Sequence, residues 1–422
     1  MEKLEVWLDD IVIKELVGFL YYQDNQFWFE YSTNWLEFKN NFVIDPNLPL
    51  IKGSFYADKG ENFGIFNDSS PDRWGRNLIK RKEIILSKKE NRKINNLYEW
   101  DFFVGINDFV KQGALRFKNT KNNEFVTNDN FLKILPLSSL RELENCAINL
   151  TKNKLKQETQ KEKLLDILIA YGSSLGGARP KSNFLNIDNS LWIAKFPSSN
   201  DNYDVSKWEY LVYLLAKEVN IDVAPAKLLK LNSQYHTFCI KRFDRINDKR
   251  VFYASALTML NAKQSENMSY LDIAFFISCN NFKNKKLQLT ELFKRVVFNV
   301  LMQNKDDHLR NHGFLYIDGY LNLAPAFDVN INLDKIEHVL KIDEYNHNVN
   351  IDDILKTAEY YDLSIDEAKN IIKNIIEVLQ NWENIAIKNK LQFNQLEKDF
   401  LDKNVFQPLN NYAKDFIKIN TI

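Results

Sequence analysis

The sequence predicts an α+β fold in which a mixed region of strands and helices precedes a largely helical C-terminal region. Three observations predict it. Aromatic and β-branched residues fill the first short segments, strand-like runs return after a Gly-rich stretch, and helical periodicity dominates from about Ala254 onward. A chain of 422 residues has room for two or three domains of about 150 residues each. We expect domains at 1–125, 126–253 and 254–422.

Composition and charge exclude several classes of protein. Hydrophobic residues make up 45% and charged residues 27% of the chain, which is ordinary for a globular protein and excludes a disordered or collagen-like one. The 56 basic residues balance 56 acidic ones. The whole chain therefore carries no net charge that would attract nucleic acid or an anionic membrane.

The cysteines and the N-terminus indicate a reducing compartment. Cys146, Cys239 and Cys279 lie far apart and form no CxxC pair, which argues against a disulfide framework and a zinc ribbon. The N-terminal MEKLEVWLDD has acidic residues where a signal peptide would be apolar, and no apolar stretch approaches about 18 residues. We expect a soluble, cytoplasmic protein without membrane contact.

The N-terminal elements follow from residue type. The runs EVWLDDIVIKELVGFLYY and QFWFEYST predict short strands. Ser70 and Pro71 open SPDRWGRNLIKRKEIILSKK, and since Ser is a good N-cap and Pro fits the first turn, a helix should begin there. Its basic residues favour a solvated face, with nucleic-acid contact as the alternative. The polar stretch Lys118–Asn130 is the expected connection to the next unit.

The middle and the end of the chain continue this alternation. A helical run ending at Gly172 leads to a Gly-rich loop, and SNFLNI and LWIAKF form a predicted hairpin across Asp188–Ser190. The helix VSKWEYLVYLLAKEV and the strands AKLLKL and TFCIKRF follow. Beyond them LFKRVVFNVLMQ and the run from Ile351 to Lys390 predict helices, with a short β interruption at FLYIDGYLNLAPAF.

The segment NKDDHLRN contains the strongest candidate for chemistry. Asp306 and Asn311 have the Asp-x4-Asn spacing of a kinase catalytic loop, in which the Asp accepts a hydroxyl proton and the Asn holds a metal. Asp328, in LAPAFDV, would supply a second oxygen, since Mg²⁺ needs few protein ligands when phosphates complete its shell. The alternative is that Asp306, Asp307 and His308 only cap and solvate a helix end.

Two further segments could bind a nucleotide. Lys195 lies in an apolar strand, where its ammonium needs an anionic partner such as a phosphate or Glu209 of the next helix; the alternative is an edge-strand lysine in water. The loop SSLGGARPK, which contains Gly176 and Gly177, lets backbone N–H groups approach an anion. It does not match GxxxxGK[ST], and a Gly-rich turn is often only a turn.

These pieces occur in the order of an ATP-dependent kinase, and their sequences resemble the HipA-type toxin kinases of bacterial toxin–antitoxin modules. The resemblance covers nearly the whole chain. It is carried by FGIFNDSSPDRWGR, QGALRF, SLGGARPK, WIAKFP, WEYLVYLLAK, KRFDR, NKDDHLRN and APAFDV. Two positions depart from it: Lys241 stands where some members have an acidic residue, and Arg310 replaces the more usual Lys. Lys241 puts in doubt any hinge contact through that side chain, and neither change removes a catalytic group.

The resemblance implies a serine/threonine protein kinase that uses ATP and Mg²⁺. It implies a protein-kinase-like two-lobed fold, with a mixed N-lobe and a helical C-lobe, to which a small β-containing N-terminal domain is added. The implied roles are Asp306 as catalytic base, Asn311 and Asp328 as metal ligands, Glu209 and His308 as orienting residues, and Lys195, Gly176, Gly177, Ile240 and Arg242 as contacts to ATP.

Regulation is implied in the same way. Members of this family phosphorylate a serine of the Gly-rich loop, which corresponds here to Ser174, with Ser173 as the alternative acceptor. A phosphate adds about −1.5 to −2 charges. That charge would repel the phosphates of ATP and so silence the kinase.

The implied partners are a HipB-like helix-turn-helix antitoxin and a protein substrate, most simply an aminoacyl-tRNA synthetase whose loss would halt translation. DNA contact would then come mainly through the antitoxin. Two alternatives stay open: a catalytically silent corepressor and a small-molecule kinase. The other histidines, His312 and His338 among them, have no ligand spacing and are expected to be ordinary core or surface residues.

Overall fold

The computed structural model describes residues 1–126, 135–151, 162, 164–169, 177, 179–348 and 351–419. The chain divides into two compact units. Unit 1 comprises Met1–Ser206, Lys227–Asn261 and Leu315–Gly319, and unit 2 comprises Lys207–Ala226, Ala262–Phe314 and Tyr320–Ile422.

Strands and helices alternate in the first half of the chain, and helices dominate the second half. The strands are β1 (Glu2–Asp9), β2 (Lys14–Gln23), β3 (Gln26–Tyr31), β4 (Ser54–Tyr56), β5 (Leu115–Asn119), β6 (Lys181–Leu185), β7 (Leu191–Lys195), β8 (Ala226–Leu229), β9 (Thr237–Lys241), β10 (Arg245–Ile246), β11 (Lys249–Arg250), β12 (Phe252–Ser255), β13 (Gly313–Ile317) and β14 (Tyr320–Leu323). The α-helices are α1 (Thr33–Glu37), α2 (Gly64–Asn67), α3 (Arg73–Lys89), α4 (Glu99–Val104), α5 (Leu140–Thr151), α6 (Val205–Glu218), α7 (Ala256–Met259), α8 (Tyr270–Cys279), α9 (Lys285–Leu301), α10 (Ile351–Lys356), α11 (Ile365–Gln380), α12 (Trp382–Lys388), α13 (Gln395–Leu401) and α14 (Gln407–Ile419).

Unit 1 contains an antiparallel sheet in the order β4-β3-β2-β1-β5. The strands predicted at the N-terminus are confirmed. Alternate residues of β1, namely Leu4, Val6 and Leu8, are buried in its core, as the period of two in a one-sided sheet requires. Phe27 and Phe29 of β3 join the same core.

The second sheet of unit 1 has the order β6-β7-β9-β8 and contains the predicted hairpin. Asn189 makes its turn with a φ of 60°, a left-handed conformation that Asn tolerates. The register places Lys195 at the end of β7 opposite Lys181 of β6 and opposite Phe238 of β9. The sheet therefore fixes the backbone position from which the Lys195 side chain extends.

The helix predicted from Ser70 and Pro71 begins instead at Arg73. Asp72 is its N-cap, and the carboxylate of Asp72 accepts the Gly75 N–H at 2.7 Å. Ser70 belongs to the preceding turn, where its hydroxyl donates to the carbonyl of Phe66. Several basic side chains of this region form ion pairs, which fits the solvated face expected of them; the pairs are Arg76–Glu99, Lys82–Asp166, Lys89–Glu162 and Arg92–Glu83.

Helix α3 shares a core with the second sheet. Trp74 and Leu78 of α3 are buried in one cluster with Phe184 of β6, Trp192 of β7 and Cys239 of β9. This packing joins elements from both sides of position 125. The three-domain division of the sequence stays a prediction.

A network of buried charges lies at the end of β9. The guanidinium of Arg242 donates to both oxygens of Asp244, at 2.8 and 2.6 Å, and Arg245 donates to the same carboxylate at 2.7 Å. Asp244 also accepts the Gly113 N–H at 2.8 Å. Burial alone raises the pKa of Asp244, but the charges of Arg242 and Arg245 hold that pKa far below its usual range.

Unit 2 is mostly helical. Helix α9 packs against α8 and α11, and α14 packs against α10 and α11. The helical run predicted over 351–390 is interrupted, because Asp362 turns the chain with a φ of 55° and Ser364 starts α11 with a capping box to Glu367. Among the helices that the structure describes, none is both long and apolar enough to span a bilayer.

Lys111 is a buried cation of unit 1. Its side chain is fully buried, its ammonium donates to the carbonyl of Phe103 at 2.7 Å, and it lies over the rings of Phe103 and Phe117. Burial lowers the pKa of Lys111 to about 7. In an unfolded chain a lysine holds its proton up to about pH 10.4. Between these values the unfolded state binds more protons, so this residue's contribution to the free energy of unfolding rises with pH.

Lys111→Met removes this titration while keeping an apolar stem of similar length. We expect the free energy of unfolding of the native protein, minus that of the variant, to grow from pH 7 to pH 9 by roughly 1 kcal/mol per pH unit. Denaturant titrations at several pH values measure it. The exposed Lys88→Met is the control and should leave the pH dependence unchanged. A constant difference between the native protein and Lys111→Met would contradict the expectation.

Candidate active site

The segment NKDDHLRN follows the end of α9 in unit 2 and is bonded back to that helix. The N–H of Asn304 donates to the carbonyl of Asn299 at 2.8 Å, and the Asn304 side-chain amide donates to the Asn299 side chain at 3.0 Å. The Asn311 N–H donates to the His308 carbonyl at 2.8 Å in a short 3₁₀ turn. The interval between Asp306 and Asn311 is therefore a fixed turn of the backbone.

Two adjacent carboxylates in this segment have opposite environments. The side chain of Asp306 is 49% exposed, whereas that of Asp307 is 5% exposed. The outward carboxylate is the one that the sequence assigns as catalytic base. The inward one is positioned to hold the segment.

Asp307 is the centre of a buried hydrogen-bond network. Its Oδ2 accepts the Tyr270 hydroxyl at 2.6 Å, the Asn299 amide at 2.9 Å and a bond with His312 Nε2 at 2.7 Å. Burial by itself raises the pKa of Asp307, but His312 and the hydroxyl of Tyr270 outweigh it, so the pKa lies below its usual value. Asp307 thus stays ionised and ties the segment to α8 and α9.

The exposed carboxylate of Asp306 has a partner of its own. Its Oδ1 lies 2.7 Å from the ammonium of Lys335, whose side chain is 42% exposed. An exposed ion pair contributes about 0–1 kcal/mol. The contact between Lys335 and Asp306 can therefore be broken at little cost in free energy.

The chain that follows Asp328 returns to the same segment. The Asn332 N–H donates to the Gln303 carbonyl at 3.0 Å, and the Val339 N–H donates to the Lys305 carbonyl at 3.1 Å. The segment is thus bound on one side by α9 and on the other by the chain after Asp328. Asp306 lies between these anchors.

Asp328 has an uncommon backbone conformation. Its φ is 57°, in the left-handed region that non-glycine residues enter rarely and often at functional sites. Its Oδ1 accepts the side-chain amide of Asn330 at 3.3 Å. Asn311 lines a small pocket of unit 2 together with Phe327 and Val329, the two neighbours of Asp328.

The donor chemistry of this place fits Mg²⁺. In the described part of the chain no three His, Cys, Asp or Glu side chains form a group that could hold a metal. Mg²⁺ does not need such a group, because it retains waters and takes phosphate oxygens beside one or two protein ligands. The amide of Asn311 and the carboxylate of Asp328 supply ligands of that kind.

His308 lies beside this network. The Nδ1 atom of His308 is buried, and within the described part of the chain it has no hydrogen-bond partner. Its charge contributes to the low pKa of Asp307. Its orienting role stays a prediction.

Lys195, at the end of β7, is half-buried, and its ammonium lies 5.8 Å from the centre of the Phe238 ring. Glu209 of α6 is buried. Lys195 belongs to unit 1 and Glu209 to unit 2. Their predicted ion pair stays a prediction.

The residues expected to meet adenine lie in and after β9. Ile240 is opposite Ile193 of β7, and the Arg242 N–H donates to the Leu191 carbonyl at 2.9 Å. The Arg242 side chain belongs to the buried charge network. Because the side chain and the N–H of Arg242 both have partners, its backbone carbonyl is the group that we expect to meet adenine.

The Gly-rich loop is only partly described. Ser173, Ser174 and Gly176 lie outside the described residues, so the predicted phosphate acceptors and the first glycine stay predictions. Gly177 is described and has a φ of 92°, which suits glycine. Its carbonyl accepts the Trp74 N–H at 3.3 Å.

Three functional candidates escaped the sequence. The sequence predicts Asp307 only as part of a helix cap and His312 as an ordinary core or surface residue, whereas the structure places both in one buried network. The pairing of Lys181 with Asp72, at 2.7 Å, joins residues far apart in sequence. No local pattern reveals these contacts, because Tyr270 and Asp307, like Asp72 and Lys181, belong to distant segments of the chain.

Comparison with known proteins gives matches over most of the chain. A family model described as HipA-like C-terminal domain matches residues 173–382, and one described as HipA N-terminal domain matches residues 4–96. A curated protein of Haemophilus influenzae, named "Putative kinase", is 27% identical over 180 residues, which are 37% of this chain and 52% of that protein. The chain thus spans about half the length of this relative.

Two solved structures resemble the fold. HipA of Shewanella oneidensis MR-1, solved in a toxin–antitoxin complex with HipB and operator DNA, has a TM-score of 0.69 at 15% identity, over 97% of both chains. The Helicobacter pylori proinflammatory kinase CtkA aligns with 57% of this chain and 95% of its own at 18% identity, with a TM-score of 0.42. The first match confirms the predicted α+β, protein-kinase-like two-lobed fold with an additional N-terminal domain.

Tyr270→Phe tests the network around Asp307. Removing a hydroxyl that donates to a buried carboxylate should lower the free energy of unfolding by about 1.5–3 kcal/mol. Tyr361→Phe is a matched control, because the hydroxyl of Tyr361 is also buried but has no hydrogen-bond partner among the described residues. Denaturant unfolding of both variants measures the difference. Equal losses would show that the bond to Asp307 does not stabilise the segment.

Proposed function

The chain belongs to the HipA family, and from this premise we propose that it is an ATP- and Mg²⁺-dependent serine/threonine protein kinase that acts as a toxin. The observation that carries the proposal is the contrast between the two adjacent carboxylates. Asp306 offers its carboxylate outward, and Asp307 anchors the backbone beneath it through three buried bonds. A general base must be both accessible and fixed in place, and this segment meets both needs.

In the proposed reaction Asp306 accepts the proton of a serine or threonine hydroxyl on the substrate protein. The hydroxyl oxygen then forms a bond to the γ-phosphorus of ATP while the bond from that phosphorus to the β-phosphate oxygen breaks, and ADP leaves. Lys195 contacts the phosphates of ATP. The ion pair of Asp306 with Lys335 gives way to the hydroxyl at the start of this step.

Asn311 and Asp328 would hold Mg²⁺, which would neutralise charge on the phosphates. Both residues offer oxygen ligands, as this cation prefers. Their places are set by the protein before any ion binds, because the turn at Asn311 and the left-handed backbone at Asp328 are parts of the fold.

Partners and regulation extend the proposal. The related Shewanella protein was solved with HipB and operator DNA, and we propose a HipB-like antitoxin as partner here, with DNA contacted mainly through it. The proposed substrate is an aminoacyl-tRNA synthetase. Phosphorylation of Ser174, or of Ser173, would silence the kinase. A cytoplasmic location is part of the same proposal.

The two alternatives, a small-molecule kinase and a catalytically silent corepressor, lead to different expectations. A small-molecule kinase has no need of the N-terminal region that matches the HipA N-terminal domain. A silent corepressor would bind the antitoxin and DNA without transferring phosphate. Incubation with Mg²⁺ and γ-labelled ATP, alone and with a bacterial lysate, separates the three readings, since labelled lysate proteins support a protein kinase.

Asp306→Asn should lower phosphate transfer by about 10²–10⁴-fold, because the amide cannot accept the proton. The fold should persist, since the side chain of Asp306 is half exposed. Asp334→Asn is the matched control, an exposed aspartate on the nearby chain, and should keep full transfer. Normal labelling of the Asp306 variant would overturn the assignment of the base.

Ser174→Ala should remove most self-phosphorylation while ATP binding remains. Mass-spectrometric mapping of phosphate and equilibrium binding of ATP measure the two properties separately. Ser173→Ala serves as the comparison. Full labelling of the Ser174 variant would move the acceptor to Ser173 or to another residue.

A further inference from the structure

Lys335 lies beside the carboxylate that the proposed function assigns as the base. Its ammonium is 2.7 Å from Oδ1 of Asp306, and the two side chains are 42% and 49% exposed. Water competes with an ion pair that is exposed to this extent, so the pair adds little to stability. The ammonium can therefore leave Asp306 for another anion at little cost.

The backbone around Lys335 is held against the candidate active site from both sides. Before the lysine, the Asn332 N–H donates to the Gln303 carbonyl at 3.0 Å, and after it the Val339 N–H donates to the Lys305 carbonyl at 3.1 Å. The N–H of Lys335 itself donates to Oδ1 of Asn332 at 3.3 Å. The stem of the lysine is thus attached to an anchored stretch of chain, and only its flexible side chain has to move.

The chemistry of transfer dictates how far the phosphorus can be from this lysine. A general base works within about 2.6–3.2 Å of the hydroxyl whose proton it accepts, and the reacting oxygen and phosphorus must approach to about 3–3.5 Å. The γ-phosphorus of ATP is then at most about 7 Å from the Asp306 carboxylate. The Lys335 ammonium already lies 2.7 Å from that carboxylate. Rotation of its four-carbon stem can bring it to an oxygen of the phosphoryl group.

Charge gives the reason for a cation at this place. The transferring phosphoryl group carries negative charge on its oxygens, and the carboxylate of Asp306 repels that charge. As Asp306 accepts the proton of the hydroxyl, its own charge falls and its attraction for the ammonium weakens. Lys335 is then the cation that can follow the negative charge from the base to the phosphoryl oxygens.

We propose that Lys335 is a catalytic residue, whose ammonium leaves Asp306 and binds the oxygens of the γ-phosphoryl group during its transfer. No bond to Lys335 forms or breaks, and the ammonium keeps all of its protons. Its contribution is electrostatic, because it stabilises negative charge in the transition state. The inference rests on the proposed function, since it assumes that Asp306 is the base for transfer from ATP.

The test measures the initial rate at which label passes from γ-labelled ATP to protein. It uses the full-length chain, Mg²⁺ and a bacterial lysate as acceptor, and the label gained by the lysate alone is subtracted. Lys335→Met removes the charge and keeps a flexible stem. We expect its rate at saturating ATP to fall about 10²–10³-fold, with an unchanged KM for ATP because the contact is made only in the transition state. Lys335→Arg, which keeps the charge, should restore part of the rate.

Lys373→Met is the matched control. Lys373 forms an exposed ion pair with Glu377 within α11, outside the candidate active site. The control therefore loses a pair of the same kind and should keep the native rate. Both Lys335→Met and Lys373→Met should unfold at midpoints close to that of the native protein, since exposed pairs add little stability.

A double variant separates catalysis by Lys335 from simple support of Asp306. If the lysine served only to hold the Asp306 carboxylate, Lys335→Met would cost nothing further once Asp306 is replaced by Asn. We expect instead that Asp306→Asn/Lys335→Met transfers label more slowly than Asp306→Asn alone. Single-turnover labelling with the chain in excess over ATP measures these slow rates.

The outcomes are distinct. A native rate for Lys335→Met would overturn the inference, and so would a faster rate, because the lysine would then only obstruct the base. Equal rates for Asp306→Asn and the double variant would also overturn it, because Lys335 would then act solely through Asp306. If the native protein transfers no label from ATP, the proposed function itself fails and this inference fails with it.

Discussion

The buried carboxylate of Asp244 is the constraint on which the second sheet of unit 1 depends. A charge taken out of water must be compensated on every side, and Arg242, Arg245 and the Gly113 N–H provide that compensation. Arg242 also donates to Asn183 of β6 at 3.0 Å and to the Val110 carbonyl at 2.8 Å. One set of bonds therefore fixes β6, the end of β9 and the loop before β5. Lys195 gains its fixed place because β7 runs between β6 and β9.

Unit 2 uses the same physics at smaller scale. Three hydrogen-bond partners offset the cost of burying the Asp307 carboxylate, whereas the neighbouring Asp306 needs no such partners because water reaches it. The buried carboxylate that anchors the turn and the accessible carboxylate proposed as the base are adjacent in sequence. A single aspartate in this turn could not do both, because a carboxylate used in buried hydrogen bonds that fix the backbone is not accessible to other molecules.

Local patterns in the sequence predict much of the fold, but they do not reveal which residues from distant segments contact one another. The strands at the N-terminus, the hairpin around Asn189 and helix α6 depend on residue type and period, which a single sequence displays. The start of α3 was misplaced because Ser70, Pro71 and Asp72 all suit a helix N-terminus, and only the contact of Asp72 with Gly75 and Lys181 decides among them. The site residues came from spacing and resemblance. Their supports, Tyr270 for Asp307 and Asp72 for Lys181, come from distant segments that no local pattern connects.

The core shared by α3 and the second sheet bears on how the protein is made. Trp74 and Leu78 leave the ribosome long before Phe184, Trp192 and Cys239, with which they are buried. Until α5 and those strands emerge, the apolar face of α3 is not fully covered and is open to chaperones or to neighbouring nascent chains. The end of the N-terminal family match at residue 96 is consequently a boundary of sequence similarity, and a chain released there would lack the residues of α5 and of the second sheet that bury Trp74 and Leu78.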